Sequence, residues 1–361
     1  MDLEKRLYLV RKNTQEIITQ EELRDLLETN SRPKAYWGFE CSGFLHLGNG
    51  LLCGSKIIDL IHAGFNFTIL LADWHSWINN KLGGDMKNIR TAGEYFKHAF
   101  TALGVPPSRV NYVWASDVVV DKKYWEKVIR IAKSISLQRV MRALPIMGRE
   151  MSKSEIETAW LYYPCMQAAD IFELDLDCAC AGIDQRKAHI LAREMAPVLK
   201  RKKPVCIHTP LLMGLEKMED RTKEFDEDEK LNTEILSKMS KSVPSSSIFI
   251  HDSPDQITEK IHTAYCPPKE TKGNPVLEIS KHIVFGRLKE IVLDRKPKHG
   301  GRISFDSYSE LEVAFASGKI HPLDLKRSVA DALIKILSPV RDYFDRQQDM
   351  LRRMREIQIT R

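Results

Sequence analysis

The chain has 361 residues, 43% of them apolar, with 55 basic and 49 acidic side chains for a net charge of +6. That length predicts roughly two domains of ordinary size, and the composition excludes a disordered chain. The mild basic excess suits a polyanionic partner without demanding one, and no run is long and apolar enough to span a membrane.

The opening MDLEKRLYLVRKN is charged from residue 2 and lacks the apolar core of a secretory signal, so a cytoplasmic protein is expected. Thr19 followed by Glu22 has capping-box spacing, and residues 1–34 read as an N-terminal helical segment. Strands are predicted in AYWGFE (35–40), NFTILLAD (66–73), VNYVWAS (110–116), ELDLDCACAG and PVCIHTP. Helices separate them; Ile89, Ala92, Tyr95, Phe96, Ala99, Phe100 and Leu103 recur at helical spacing. Strands alternating with helices predict an α/β fold with a parallel sheet whose ligands bind at the carboxyl ends of the strands. Residues 122–156 are helical and basic and break this rhythm, as an insertion does. The seven cysteines are scattered with no Cys-x-x-Cys pair, which argues against a disulfide framework or a structural zinc site; buried thiols are expected. Residues 219–230 are highly charged and read as a solvated segment. Beyond residues 248–254, taken as the domain boundary, the pattern is mostly helical to the basic tail.

Two stretches carry chemistry. GFECSGFLHLGNG (38–50) follows a strand and opens a helix, where free N–H groups and a helix dipole favour phosphate. His46 there serves either as a phosphate donor or simply as a cap. SKMSKSVPSSS (237–247) places Lys238 and Lys241 on a loop with almost nothing apolar to anchor it. Lysines delivered to a pentavalent phosphorus stabilise its extra charge more than the ground state. A third stretch, YYPCMQAADIFEL, spaces Tyr163, Gln167, Asp170 and Leu174 along one helical face. A phenol, an amide and a carboxylate in one stripe suit a small ligand with polar groups at both ends better than a core.

The pairing of HLGN with KMSKS resembles the class I aminoacyl-tRNA synthetases. The first motif departs from their usual HIGH, with Asn49 replacing the second histidine. AYWGFECSG, ILLADWH, YYPCMQAADI, GIDQRKAHILARE, AYCPP and HPLDLK extend the resemblance to the tyrosyl-tRNA synthetases of archaea and eukaryotes, over nearly the whole chain. It implies a Rossmann-like catalytic domain (35–247) with a helical insertion and a mobile lysine loop, then a helical anticodon-binding domain (248–361). It also implies a homodimer with the insertion near its interface.

For the site, the resemblance implies His46, Asn49, Lys238 and Lys241 in catalysis. Tyr36 and Asp170 would meet the phenol of tyrosine. Tyr163, Gln167 and Gln185 would hold its ammonium and carboxylate, with Leu70, His75 and Leu174 around the ring. Gly38, Gly48, Gly182, Asp184, Met239 and Ser240 would meet ATP, with Mg²⁺ on its phosphates and no metal held by the protein itself. Arg139, Arg142, Arg186 and Lys187 would face the acceptor stem of tyrosine tRNA, and His299, His321 and Asp324 its anticodon. Tryptophan as the amino acid, another nucleotidyl transfer, or a non-catalytic RNA-binding relative remain alternatives. Tyr36 with Asp170 argues against the first, HPLDLK against the second, and the presence of both lysines and Asp170 against the third.

Overall fold

The computed structural model describes residues 1–148, 156–217 and 228–359, with the backbone alone at 299, 358 and 359. Its central sheet contains β1 (Glu16–Ile18), β2 (Lys34–Phe39), β3 (Asn66–Leu71), β4 (Val110–Trp114), β5 (Cys178–Gly182) and β6 (Val205–Thr209), in the order β1-β6-β5-β2-β3-β4. All neighbours are parallel except β1, which runs antiparallel to β6. Strands buried on both faces read as near-continuous apolar runs, as β5 does and as β6 does up to His208. The chain steps outward from β2 to β3 to β4 and then returns to lay β5 on the other side of β2. The strand order therefore reverses between β2 and β5, and a crevice opens at their carboxyl ends.

The expected helices form at both ends of the N-terminal segment, Leu3–Arg11 and Gln20–Thr29, and the Thr19–Glu22 capping box is made. Between them, however, β1 adds an edge strand to the sheet, so this segment is not purely helical. Three residues are too few to show alternation in the sequence. Buried Arg6 ties the segment down, donating to Ala63 O at 2.8 Å, Leu27 O at 2.5 Å and Asn30 O at 3.1 Å.

The insertion forms helices Lys122–Lys133 and Leu137–Ala143; its end, 149–155, lies outside the described residues, as does most of the charged segment 219–230. All seven cysteines are buried free thiols. The C-terminal region is built on helices Pro254–Thr263, Pro322–Asp345 and Gln348–Ile359, with a hairpin of β7 (Ile291–Leu293) and β8 (Ile303–Phe305) that the helical reading missed.

The stretch taken as a boundary is a packed strand-like segment. Leu47 N–H donates to Ile248 O at 2.9 Å and Ile250 N–H to Leu45 O at 3.0 Å, with both isoleucines fully buried. One hydrophobic core thus runs from the sheet into the C-terminal helices, where Tyr95 stacks on Phe344 with ring centres 5.7 Å apart. Arg6→Ala leaves three carbonyls of this packed N-terminal region without their donor. It is expected to cost about 3 kcal/mol of stability, read from urea unfolding; a change below about 0.5 kcal/mol would contradict the role given to Arg6.

Candidate active site

The crevice between β2 and β5 holds a cavity of about 270 Å³. Its floor comes from β2 and β3: Tyr36, Gly38 and Leu70 line it, followed by His75 from the helix Asp73–Ile78. The helix Tyr163–Glu173 closes one side with Tyr163, Gln167 and Asp170, the face predicted from their spacing. Leu174 does not line the cavity. It caps that helix, and the chain turns away at Asp175 (φ 50°); Leu174 packs against the apolar cluster that also holds Tyr36 and Leu70.

Asp170 is 1% exposed. Its Oδ1 accepts from the Tyr124 hydroxyl at 2.9 Å, and its Oδ2 lies 3.2 Å from His75 Nε2, off the line of a good hydrogen bond. Burial depresses the His75 imidazole, but the Asp170 carboxylate, with Glu40 and Asp73 behind it, raises it above its ordinary value. Burial, and then Asp170, push the Tyr36 phenol well up, so it stays a protonated donor.

Farther along, the Tyr163 hydroxyl donates to Glu40 Oε1 at 2.9 Å, and Asn79 Nδ2 donates to the same oxygen at 2.6 Å. Gln167 Nε2 donates to Gln185 Oε1 at 3.3 Å, and Gln185 Nε2 to Ile146 O at 2.9 Å. Gln167 Oε1 is buried with no partner. Buried acceptors are nearly always satisfied, so this one marks where a ligand donor belongs. Glu40 was missed in the sequence; its place directly after β2, at the carboxyl end, is the signal that would have found it.

At the other end, 47–52 winds as a wide π-helical turn that continues into the helix Cys53–His62. Such turns are frequent at functional sites. His46 caps it, with Nδ1 accepting from Gly48 N–H at 3.1 Å. That bond fixes the proton on Nε2. Burial, with Lys241 and Lys238 nearby, holds the imidazole well below its ordinary value, so His46 is a neutral donor. The cap reading is met, and Nε2–H is left as a donor. Asn49 Oδ1 accepts from His46 N–H at 2.8 Å, completing the box and leaving its amide group as the remaining donor.

Both lysines point into the cavity. Lys238 Nζ pairs with Asp184 Oδ2 at 2.6 Å, and Lys241 Nζ donates to Ser42 Oγ at 3.1 Å. The expectation of an unanchored loop is corrected: Met239 is buried and its N–H donates to Leu212 O at 2.7 Å. Ser240 does not line the cavity; its carbonyl accepts from Ser247 Oγ at 2.7 Å, bracing the loop. At Gly182 a Cβ would stand 2.6 Å from Asp184 Oδ1, so only glycine allows Asp184 to fold back toward Lys238.

The residues expected to meet RNA lie outside this cavity. Arg139 pairs with Glu194 at 3.0 Å, Arg142 is exposed, and Lys187 lies half-buried in the first turn of the helix Arg186–Met195. Arg186 Nε spans both oxygens of Glu16, each at 2.9 Å. His321 caps the helix Pro322–Asp345, accepting from Leu323 N–H at 3.2 Å, with Asp324 in its first turn. The His299 side chain is outside the described residues.

Asn49→Ala is expected to cost about 1 kcal/mol through the lost cap. Thermal unfolding checks it; an unchanged midpoint would remove the capping role.

The sequence matches the family of class I tRNA synthetases for tryptophan and tyrosine over residues 28–223 and 229–338. A tyrosine–tRNA ligase of Aeropyrum pernix is 47% identical over 345 residues, 94% of this chain and 93% of that protein. One of Thermococcus kodakarensis is 45% identical across 100% of both chains. A tyrosyl-tRNA synthetase crystallised with L-tyrosine from Pyrococcus horikoshii superposes with a TM-score of 0.92 at 43% identity, covering 99% of this chain and 100% of that one. With its motifs gathered around one cavity at the strand-order reversal, the chain belongs to the class I tRNA synthetases of the tryptophan and tyrosine branch.

Proposed function

We propose that the protein attaches tyrosine to tyrosine tRNA in two ATP-dependent steps. The observation that carries this reading is a single cavity with Tyr36 and Asp170 at one end and His46, Lys238 and Lys241 at the other. The phenol hydroxyl donates to Asp170 and accepts from Tyr36. The ammonium meets Gln167 Oε1, Tyr163 and Glu40, which leaves the carboxylate facing the nucleotide.

In the first step a carboxylate oxygen attacks the α-phosphorus of ATP. A carbon–oxygen–phosphorus linkage forms, the α–β bridge breaks, and pyrophosphate leaves. His46 Nε2–H and the two lysines stabilise the charge that gathers on the phosphoryl oxygens. In the second step the 2′-hydroxyl of the terminal tRNA adenosine attacks the acyl carbon, and AMP leaves. Positioning does most of the work, since among the described residues no side chain is placed as a general base for this step.

Among the described residues no three His, Cys, Asp or Glu side chains group to hold a metal ion. Mg²⁺ is assigned to the ATP substrate, on its phosphates, where this hard cation commonly binds. Phenylalanine would leave Tyr36 and Asp170 without a partner, the asymmetry for which tyrosine-specific synthetases are the standard example. Tryptophan would likewise set no hydroxyl between them.

Arg139, Arg142, Arg186 and Lys187 are assigned to the acceptor stem. His321 is assigned to stack on the anticodon, Asp324 to accept from a guanine edge, and His299 to the second stacking position. A homodimer is supported by the exposed apolar side chains Trp77, Val120, Ile129 and Leu137 on and beside the insertion. No helix among the described residues is long and apolar enough to cross a membrane, in keeping with a cytoplasmic enzyme.

ATP–pyrophosphate exchange across the twenty amino acids tests the reading: tyrosine alone should drive it strongly, and tyrosine-independent or tryptophan-driven exchange would defeat it. Lys238→Ala and Lys241→Ala should each lower kcat about 10²-fold or more while the tyrosine KM stays within about twofold. Sedimentation velocity at micromolar concentration should show a dimer; a monomer would remove the interface assignment.

A further inference from the structure

We infer that Tyr124, which stands outside the cavity on the insertion, is a positioning residue that sets the choice of tyrosine over phenylalanine by holding the Asp170 carboxylate. The inference rests on Asp170 being the acceptor for the substrate phenol.

Tyr124 is the third residue of the helix Lys122–Lys133 and is fully buried. It does not line the cavity, which places it behind Asp170 rather than against the ligand space. Its hydroxyl donates to Asp170 Oδ1 at 2.9 Å; Met166 O, at 3.4 Å, is too far for a strong bond. Among the described residues this is the shortest contact to the Asp170 carboxylate; His75 Nε2 stands farther off, 3.2 Å from Oδ2.

The last torsion of an aspartate is soft and roughly two-fold, so an untethered carboxylate samples a broad arc. A donor on Oδ1 stops that rotation and fixes where Oδ2 and the free lone pairs point. Tyrosine gains from that fixed direction, because its phenol must find an acceptor in line. Phenylalanine has no donor to align and gains nothing. A tether on Asp170 therefore acts on one substrate and not on the other, which a merely structural contact would not do. It also gives the insertion a part in amino-acid selection although none of its helical side chains bearing on Asp170 reaches the ligand.

The test compares wild type, Tyr124→Phe, Asp170→Asn and the double variant by pyrophosphate exchange with tyrosine and with phenylalanine. Tyr124→Phe should lower kcat/KM for tyrosine about tenfold, chiefly through KM, and move phenylalanine by less than about twofold. In the Asp170→Asn background the same substitution should leave the tyrosine-to-phenylalanine ratio where Asp170→Asn alone put it. Equal losses for both substrates, an unmoved ratio, or a further tenfold loss in the Asp170→Asn background would overturn the inference. The double variant carries no charge at position 170 to be orphaned, so that comparison stands even where Tyr124→Phe alone is unstable. An Asp170→Asn enzyme with the wild-type ratio would remove the reading of Asp170 itself, and this inference with it. A collapsed ratio in Asp170→Asn beside an unmoved one in Tyr124→Phe would remove the inference alone.

Discussion

Asp170 is 1% exposed, and a carboxylate so buried costs several kcal/mol unless donors surround it. Four pieces of chain far apart in sequence converge on it: β2 with Tyr36, the helix after β3 with His75, the insertion with Tyr124, and its own helix. Each is placed by the sheet or by the apolar cluster that packs against it. The donors that make the buried carboxylate tolerable also fix its direction, so stability and selection draw on the same contacts. The site is not an addition to a finished fold; displacing any of these elements would expose or orphan the same charge.

The phosphate end follows a different logic. Its groups must tolerate an empty cavity and yet be ready for a dense negative charge. His46 is kept neutral by burial and by the lysines, and Lys238 rests on Asp184. A lysine already matched by a carboxylate gains little from a ground-state phosphate, which only exchanges one anion for another. It gains more as charge builds on the transferring phosphoryl group, which is the differential that accelerates a reaction. The motif carrying His46 is held by two backbone bonds to residues 248 and 250, so the C-terminal region braces the catalytic turn directly.

Much of this was legible in the sequence because its signals are local. The strands around residues 35, 66, 110, 178 and 205 announce themselves by apolar runs, and Tyr163, Gln167 and Asp170 by helical spacing. What escaped depends on long-range packing. Tyr124 is separated from Asp170 by 46 positions, and nothing local distinguishes it from an ordinary core tyrosine. Met239 reads as a lone apolar residue in a polar loop, yet it is the anchor of that loop. Leu174 continued the helical stripe on paper, but the helix ends beneath it. β1 and the β7–β8 hairpin are three-residue strands, shorter than any periodicity can resolve. Glu40 carried a positional signal, the carboxyl end of β2, that spacing alone does not convey.

Orientation of the substrate follows from the signs of charge along the cavity. Asp170 and Glu40 line one part of it and the two lysines the other. Tyrosine is itself polar along its length, with a neutral phenol, then an ammonium, then a carboxylate. Entering phenol-first, it sets the ammonium near Glu40 and the carboxylate toward the lysines and the nucleotide. Entering the other way, it would press its carboxylate against buried Asp170, a like-charge contact in a medium that screens poorly. In the proposed site, the group assigned to the hydroxyl thus also excludes the reversed pose, and the nucleophilic oxygen reaches the phosphate end only in the pose that has passed the hydroxyl test.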